Sequence, residues 1–177
     1  MDEYNGSWIT TYKGHRFHYL RPRPGEIDIE DIAHHLSLLC RFTGACSSYY
    51  SVAEHSIRVA ELVPKELQLA ALLHDASEAY IGDISRPVKY SHKLEDTEEI
   101  ITKAIAKKYG VDLHNPEIKH ADNVLCATEG RDLMPNMTRW RTLPQPLAEK
   151  IVPMKKPRTA EHLFLYMFRL YGGGAML

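Results

Sequence analysis

The sequence predicts an all-α fold carrying one small β-hairpin near its start. Three observations lead there. Apolar residues recur at helical spacing through most of the chain after residue 28, and capping residues stand at the head of several of these stripes. A single stretch, residues 8–20, is instead rich in Thr, Tyr, Phe and Ile. With 177 residues, one domain spanning 1–177 is expected, burying about 70% of the unfolded surface.

Residues 8–12 and 15–20 flank Lys13-Gly14 and read as the two arms of the hairpin, with His15 and His18 as ordinary strand residues. Arg21-Pro22-Arg23-Pro24-Gly25 is a stiff connector. From Asp28 the stripe Ile29, Ile32, Ala33, Leu36, Leu39 and Cys40 predicts a helix reaching Arg41-Phe42, with Thr43-Gly44 as its C-terminal cap. An Arg there is explained at least cost by the helix dipole. His34 and His35 are adjacent, so only one can face the stripe, and both are expected to be partly exposed or hydrogen-bonded.

Ser51-Val52-Ala53-Glu54 has the form of a capping box and opens a second helix. Its stripe turns His55 inward, and a lone inward His is more often a satisfied core residue than a ligand. Pro64 ends this helix. The next is expected from Lys65 through Leu67, Ala70 and Ala71, with His74 and then Glu78 continuing the same stripe. Asp75 lies beside His74, and Gly82-Asp83 follow at the helix end. Burying such groups unpaired costs roughly 1–3 kcal/mol each, and more for a charge. A buried ion-pair cluster would offset this, and so would a metal ion, which accepts imidazole and carboxylate together.

Residues 84–90 read as a loop carrying Arg86-Pro87 and Lys89. Residues 93–109 form a strongly charged helix stopped by Gly110; Glu98-Glu99 are expected on a solvated face, and His92 and His114 at the surface. Asn115-Pro116 cap and start a helix running to about residue 134, with Ile118, Ala121, Asp122, Leu125, Glu129 and Leu133 on one side. Asp122 is there either a buried salt-bridge partner or a ligand, Glu129 holds an Arg, and His120 stays ambiguous. Five prolines make residues 134–157 irregular, with a turn at 147–151. A last helix over 158–171 packs Ala160, Leu163, Phe164, Met167 and Leu170 and stops at Gly172-Gly173-Gly174. His162 on it is expected at the surface.

Composition narrows the function classes. The net charge of −1 supplies no basic field for nucleic acid or an anionic membrane, so neither is an expected partner. Cys40, Cys46 and Cys126 are odd in number and form no C-x-x-C pair, which argues against a disulfide framework and a thiolate zinc site. No run approaches the ~18 apolar residues of a membrane span. The first residues have neither a basic n-region nor an apolar h-region. A cytoplasmic location is expected, in the host if the chain is phage-encoded.

The string His74-Asp75-x-x-Glu78-Ala79-x-x-Gly82-Asp83-x-x-Arg86-Pro87-x-Lys89 resembles the HD-domain phosphohydrolases, in particular the small single-domain nucleotide phosphohydrolases of bacteria and their phages. Asp31-Ile32-Ala33-His34 to Arg41-Phe42, Val52-Ala53-Glu54-His55-Ser56 and His120-Ala121-Asp122-Asn123 extend the likeness, which spans about residues 8–133. The resemblance implies an HD-domain helical bundle and a metal held by His55, His74, Asp75 and Asp122. Two His and two Asp suit a transition ion (Zn, Co or Mn) better than magnesium. Such an ion lowers the pKa of a bound water to about 7. Glu78 is then expected to serve the nucleophile and Asp83 proton transfer. Arg41, Lys89 and Lys119 are expected to grip phosphates, and Arg86 lies close enough in sequence to the ligands to do so, with Phe42 and Pro87 as apolar walls for the base.

The implied activity is a deoxynucleoside triphosphate triphosphohydrolase, converting dATP and water to deoxyadenosine and tripolyphosphate. In a phage this would clear dATP where 2-aminoadenine replaces adenine in the genome. A deoxynucleoside 5′-monophosphatase is the alternative, and a non-enzymatic helical binding module with a structural metal is a third. Three converging cations exceed what a monophosphate needs, since one divalent ion nearly offsets its roughly two charges. The same resemblance implies a homo-oligomer, dimer or hexamer.

Overall fold

The computed structural model describes residues 8–135 and 142–172. The fold is all-α with a two-stranded antiparallel hairpin, β1 (Ile9–Thr10) and β2 (Arg16–Phe17), pairing Ile9 with Phe17. The strands are shorter than the composition suggests, and His15 and His18 lie just outside β2. Each instead meets an acid: His15 Nδ1 is 3.1 Å from Asp31, and His18 Nδ1 is 2.9 Å from Glu26. Gly14 turns the hairpin at φ 83°, a region costly for other residues.

The helices are α1 (Ile29–Leu38), α2 (Val52–Glu61), α3 (Gln68–Leu72), α4 (Glu78–Ile81), α5 (Arg86–His92), α6 (Glu95–Tyr109), α7 (Pro116–Leu133) and α8 (Pro157–Leu170). Three side-chain caps form as the residue types demand: Asp28 accepts from Glu30 N–H, Ser51 from Glu54 N–H and Asn115 from Glu117 N–H. The Ser51 box is only half closed. Glu54 turns away to accept from Arg58 and from Met154 N–H, tying the 142–156 segment to α2.

Helix α2 is central and packs against α1, α3, α7 and α8. Its Val52, Ala53, Ile57, Val59 and Ala60 are buried in one continuous apolar cluster with α1, α3, α6, α7 and α8 residues. Each large aliphatic side chain so buried contributes roughly 1.5–3 kcal/mol. Into this helix the chain also sets Glu54, His55 and Ser56, all fully buried. Polar groups at such a place need partners.

Several expectations are corrected. Helix α1 stops at Leu38, because Cys40 leaves it to bridge Ser51 in an extended pairing, so Arg41 is not a last-turn residue facing the dipole. It sits in a 3-10 turn, Arg41–Gly44, where Phe42 and Thr43 have φ of 55° and 54°. The third helix does not run through His74. It ends at Leu72, and residues 73–77 form turns bonded i to i+3 before α4 begins. Residues 86–92 are helical, not a loop, with Pro87 in the first turn, a signal already present in the sequence. No helical turn forms at 147–151, and Leu170 is 63% exposed while Phe168 takes the buried place. The residues 136–141 of the expected irregular segment, and Gly173-Gly174 of the last cap, lie outside the described residues.

Candidate metal centre and cleft

His55 enters from α2, His74 and Asp75 from the turn after α3, and Asp122 from α7. His55 Nε2 lies 3.3 Å from His74 Nε2, 3.3 Å from Asp122 Oδ1 and 3.5 Å from Asp75 Oδ2; His74 Nε2 is 3.2 Å from Asp75 Oδ2. Donors about 2.0–2.1 Å from one ion stand roughly 3.0–3.4 Å apart, so these separations fit a shared ion. His55, His74 and Asp75 offer donor atoms all within 4.8 Å of one another and could hold a metal ion. Asp122 approaches from the His55 side.

The tautomers point the same way. His74 Nδ1 is 2.7 Å from the Ala71 carbonyl, which can only accept, so Nδ1 carries hydrogen. His55 Nδ1 is 2.6 Å from the Glu129 carboxylate. In the neutral rings both Nε2 lone pairs then face the common point beside two carboxylates, and only a proton or a cation satisfies that many acceptors. The Ala71 bond also explains the local backbone: His74 side chain and N–H take the carbonyl that an α-helix would give to residue 75.

Helix α7 grips His55 from both ends. Asp122 and Glu129 are seven residues apart, two turns and about 10 Å along the axis, so both face α2. Glu129 is fully buried and also accepts from Arg41 Nε and Nη2 at 3.2 and 3.1 Å, while Arg41 Nη1 reaches Asp75 at 3.5 Å. Glu129 therefore holds an Arg, as expected, but orients His55 as well. The twofold spacing to Asp122 was the available signal. Burial opposes its charge, yet the Arg41 guanidinium and His55 keep the Glu129 carboxyl below its usual range. Burial and Arg41 pull His55 down, but Glu129 and Asp122 outweigh them and raise it to about 9. Asp75 and Asp122 are both held well below the carboxylate range despite burial, Asp75 by His74 and Asp122 by His55.

Beside this polar floor opens a cleft of about 580 Å³, lined in part by Arg41, Phe42, Asp75, Glu78, Asp83 and Pro87. Asp83 accepts from Phe42 N–H at 3.1 Å and so pins the left-handed turn that presents Arg41 and Phe42. Arg41 stacks over the Phe42 ring at 5.1 Å. Glu78 is buried, its Oε2 has no hydrogen-bond partner, and burial together with Asp75 and Asp83 pushes its pKa well up. Lys89 lies 3.6 Å from Glu78 and 2.6 Å from Glu98, and Lys119 is 2.7 Å from Asp122. Every expected site residue thus reaches the floor or the cleft wall. Glu95 and Glu98, given no chemical role by the sequence, also line it, as does Arg86, which the sequence places close enough to the ligands to hold phosphates. Glu98 was expected merely solvated; its partner lies on another helix, at a spacing no periodicity marks.

Other histidines have structural partners. His35 Nδ1 meets the Ala79 carbonyl at 2.7 Å and its Nε2 accepts from Tyr12 N–H, while His34 stacks on Tyr12. His120 is exposed. Cys40, Cys46 and Cys126 are free thiols. Among the described residues no helix is long and apolar enough to cross a membrane.

No family model matches the chain. It is 44% identical over 131 residues to the uncharacterized protein YfdR of Escherichia coli, covering 72% of each. It is 35% identical over 143 residues to the uncharacterized protein RCAP_rcc00048 of Rhodobacter capsulatus, covering 72% of this chain and 73% of that one. Identity at that level over most of both chains makes this protein a member of the family that includes YfdR and RCAP_rcc00048.

Proposed function

We propose that the protein is a metal-dependent phosphohydrolase of the HD-domain type acting on deoxynucleotides, with a deoxynucleoside triphosphate, foremost dATP, as substrate and tripolyphosphate as product. The observation that carries this reading is the convergence of two imidazole lone pairs and two carboxylates beside a nucleotide-sized cleft. The cleft itself is lined by six acidic and four basic side chains. An anionic substrate would be repelled from such a wall without a cation at the floor, so a phosphate-binding role and a metal support each other.

A Zn, Co or Mn ion held by His55, His74, Asp75 and Asp122 would supply Lewis acidity toward a phosphate oxygen and a more acidic water. The protein's own groups do the rest. Arg41, fixed by Glu129 through Nε and Nη2, turns to phosphate oxygens the Nη1 that otherwise reaches Asp75 at 3.5 Å. Glu78 receives the proton of the attacking water at its unpaired Oε2; a bound divalent ion would offset Asp75 and Asp83, which with burial push the Glu78 pKa up. Asp83 relays that proton to the departing 5′ oxygen as its bond to the α-phosphorus breaks, so the proton lost by water ends on the nucleoside. Phe42 and Pro87 flank the base.

One observation favours the monophosphatase alternative: Arg41, Lys89 and Lys119 are each already paired with carboxylates, which lowers the positive charge left for a long phosphate tail. Product analysis after incubating the metal-loaded protein with dATP and with dAMP decides between them. Tripolyphosphate from dATP is expected. Orthophosphate alone, or faster cleavage of dAMP, would establish the monophosphatase, and no turnover of either would leave a structural metal site.

A further inference from the structure

The four cations of the cleft are not equivalent. Arg41 is shared between Glu129 and Asp75, Lys89 between Glu98 and Glu78, and Lys119 is bonded to Asp122. Each is neutralised within the protein. Arg86 is different. It lines the same cleft from the first turn of α5, it is exposed, and among the described residues it has no carboxylate partner. The residue thus borders the cleft while staying open to solvent.

We infer that Arg86 is the specificity-determining cation of the cleft, binding the β- and γ-phosphates of a nucleoside polyphosphate while the floor holds the α-phosphate. The inference rests on the phosphohydrolase reading of the site and names the residue that would set its choice of phosphate chain length. The physical reason is availability. A carboxylate-paired Lys must surrender its partner before it gains a phosphate, and leaves a buried or half-buried acid behind, as Lys89 would leave Glu78. An unpaired guanidinium loses only water, and its planar fork matches two phosphate oxygens at once. Pro87, the next residue, limits the backbone freedom of the turn that carries it.

The test uses the full-length, metal-loaded protein and two inorganic probes, tripolyphosphate and orthophosphate, titrated calorimetrically into wild type, Arg86→Ala and Arg86→Lys. Wild type is expected to prefer tripolyphosphate. In Arg86→Ala the ratio of tripolyphosphate to orthophosphate affinity falls about tenfold or more, and Arg86→Lys restores part of it. Thermal melts of the variants should match wild type, since Arg86 is exposed and unpaired. An unchanged ratio in Arg86→Ala, or a wild-type ratio near unity, overturns the inference. Because the readout is anion binding, absence of nucleotide turnover would count against the phosphohydrolase reading alone. A lost ratio preference without turnover would still support Arg86 as the distal anion contact.

Discussion

The floor and the wall of the cleft are built on opposite principles. On the floor, His55 and Glu129 are fully buried, and almost every polar atom has a partner supplied from a different segment: Glu129 spans Arg41 and His55, and His74 is fixed by the Ala71 carbonyl. The wall, made by α4, the 82–85 turn, α5 and the start of α6, carries partly buried ion pairs and, among the described residues, one unpaired buried oxygen on Glu78 and one unpaired Arg. A floor of that kind holds ligand geometry before anything binds. Pairs on the wall are only partly buried, but each leaves an acid behind when broken, so the unpaired cation is the one that takes an anion at least cost. A rigid ligand set and one uncommitted cation suit the metal-dependent nucleotide chemistry proposed above.

The largest expected effect breaks the floor. Asp75→Ala should lose its metal and all measurable turnover; metal analysis showing full occupancy in that variant would remove Asp75 from the ligand set. Glu129→Ala should act on stability, since it strands a buried Arg and frees a buried His. A loss of about 3–5 kcal/mol is expected in denaturant unfolding. If the loss stayed below about 1 kcal/mol, the buried network would be less tightly coupled than its distances imply.

On the wall, Glu78→Ala should separate chemistry from binding. Metal content and nucleotide affinity should be kept while turnover falls by ~10²-fold or more. A near-normal rate would make Glu78 a structural carboxylate.

Removing the metal should expose the floor's own titration. His55 is raised from 6.5 to about 9 in the fold. A raised pKa means the folded state binds the proton more tightly, so this stabilisation is complete below 6.5 and is lost as pH rises through about 9. Metal-stripped protein should therefore lose stability across that window, while metal-loaded protein, with Nε2 taken by the ion, should not show this slope. Parallel unfolding curves at both ends of the window, with and without metal, provide the measurement. The smallest effect is expected at Lys119→Ala. Its pair with Asp122 is exposed on the Lys side, so stability should change by less than about 1 kcal/mol. A large loss of metal in this variant would show that Lys119 positions Asp122.

Much of this was legible in the chain. Asp28, Ser51 and Asn115 announce helix starts because capping is local chemistry, decided within four residues. The inward placement of His55 and the common face of Asp122 and Glu129 follow from helical periodicity on α2 and α7 alone. His74, Asp75 and Glu78 were identifiable as a polar cluster, but their expected geometry, one continuous helix, was wrong. The break at residue 73 depends on a side chain capturing a backbone carbonyl, which periodicity does not register.

What the sequence by itself determined is the all-α class, the apolar stripes and the set of residues able to ligate an ion, all consequences of short-range spacing. The tertiary structure alone decided which of them meet. It turned Arg41 from a helix-end charge into the partner of Glu129, 88 positions away, and it paired Lys89 with Glu98 across two helices. Among the described residues it also left Arg86 without a carboxylate partner. Those outcomes rest on packing between segments distant in sequence, where a charge takes whichever opposite charge the fold brings within reach.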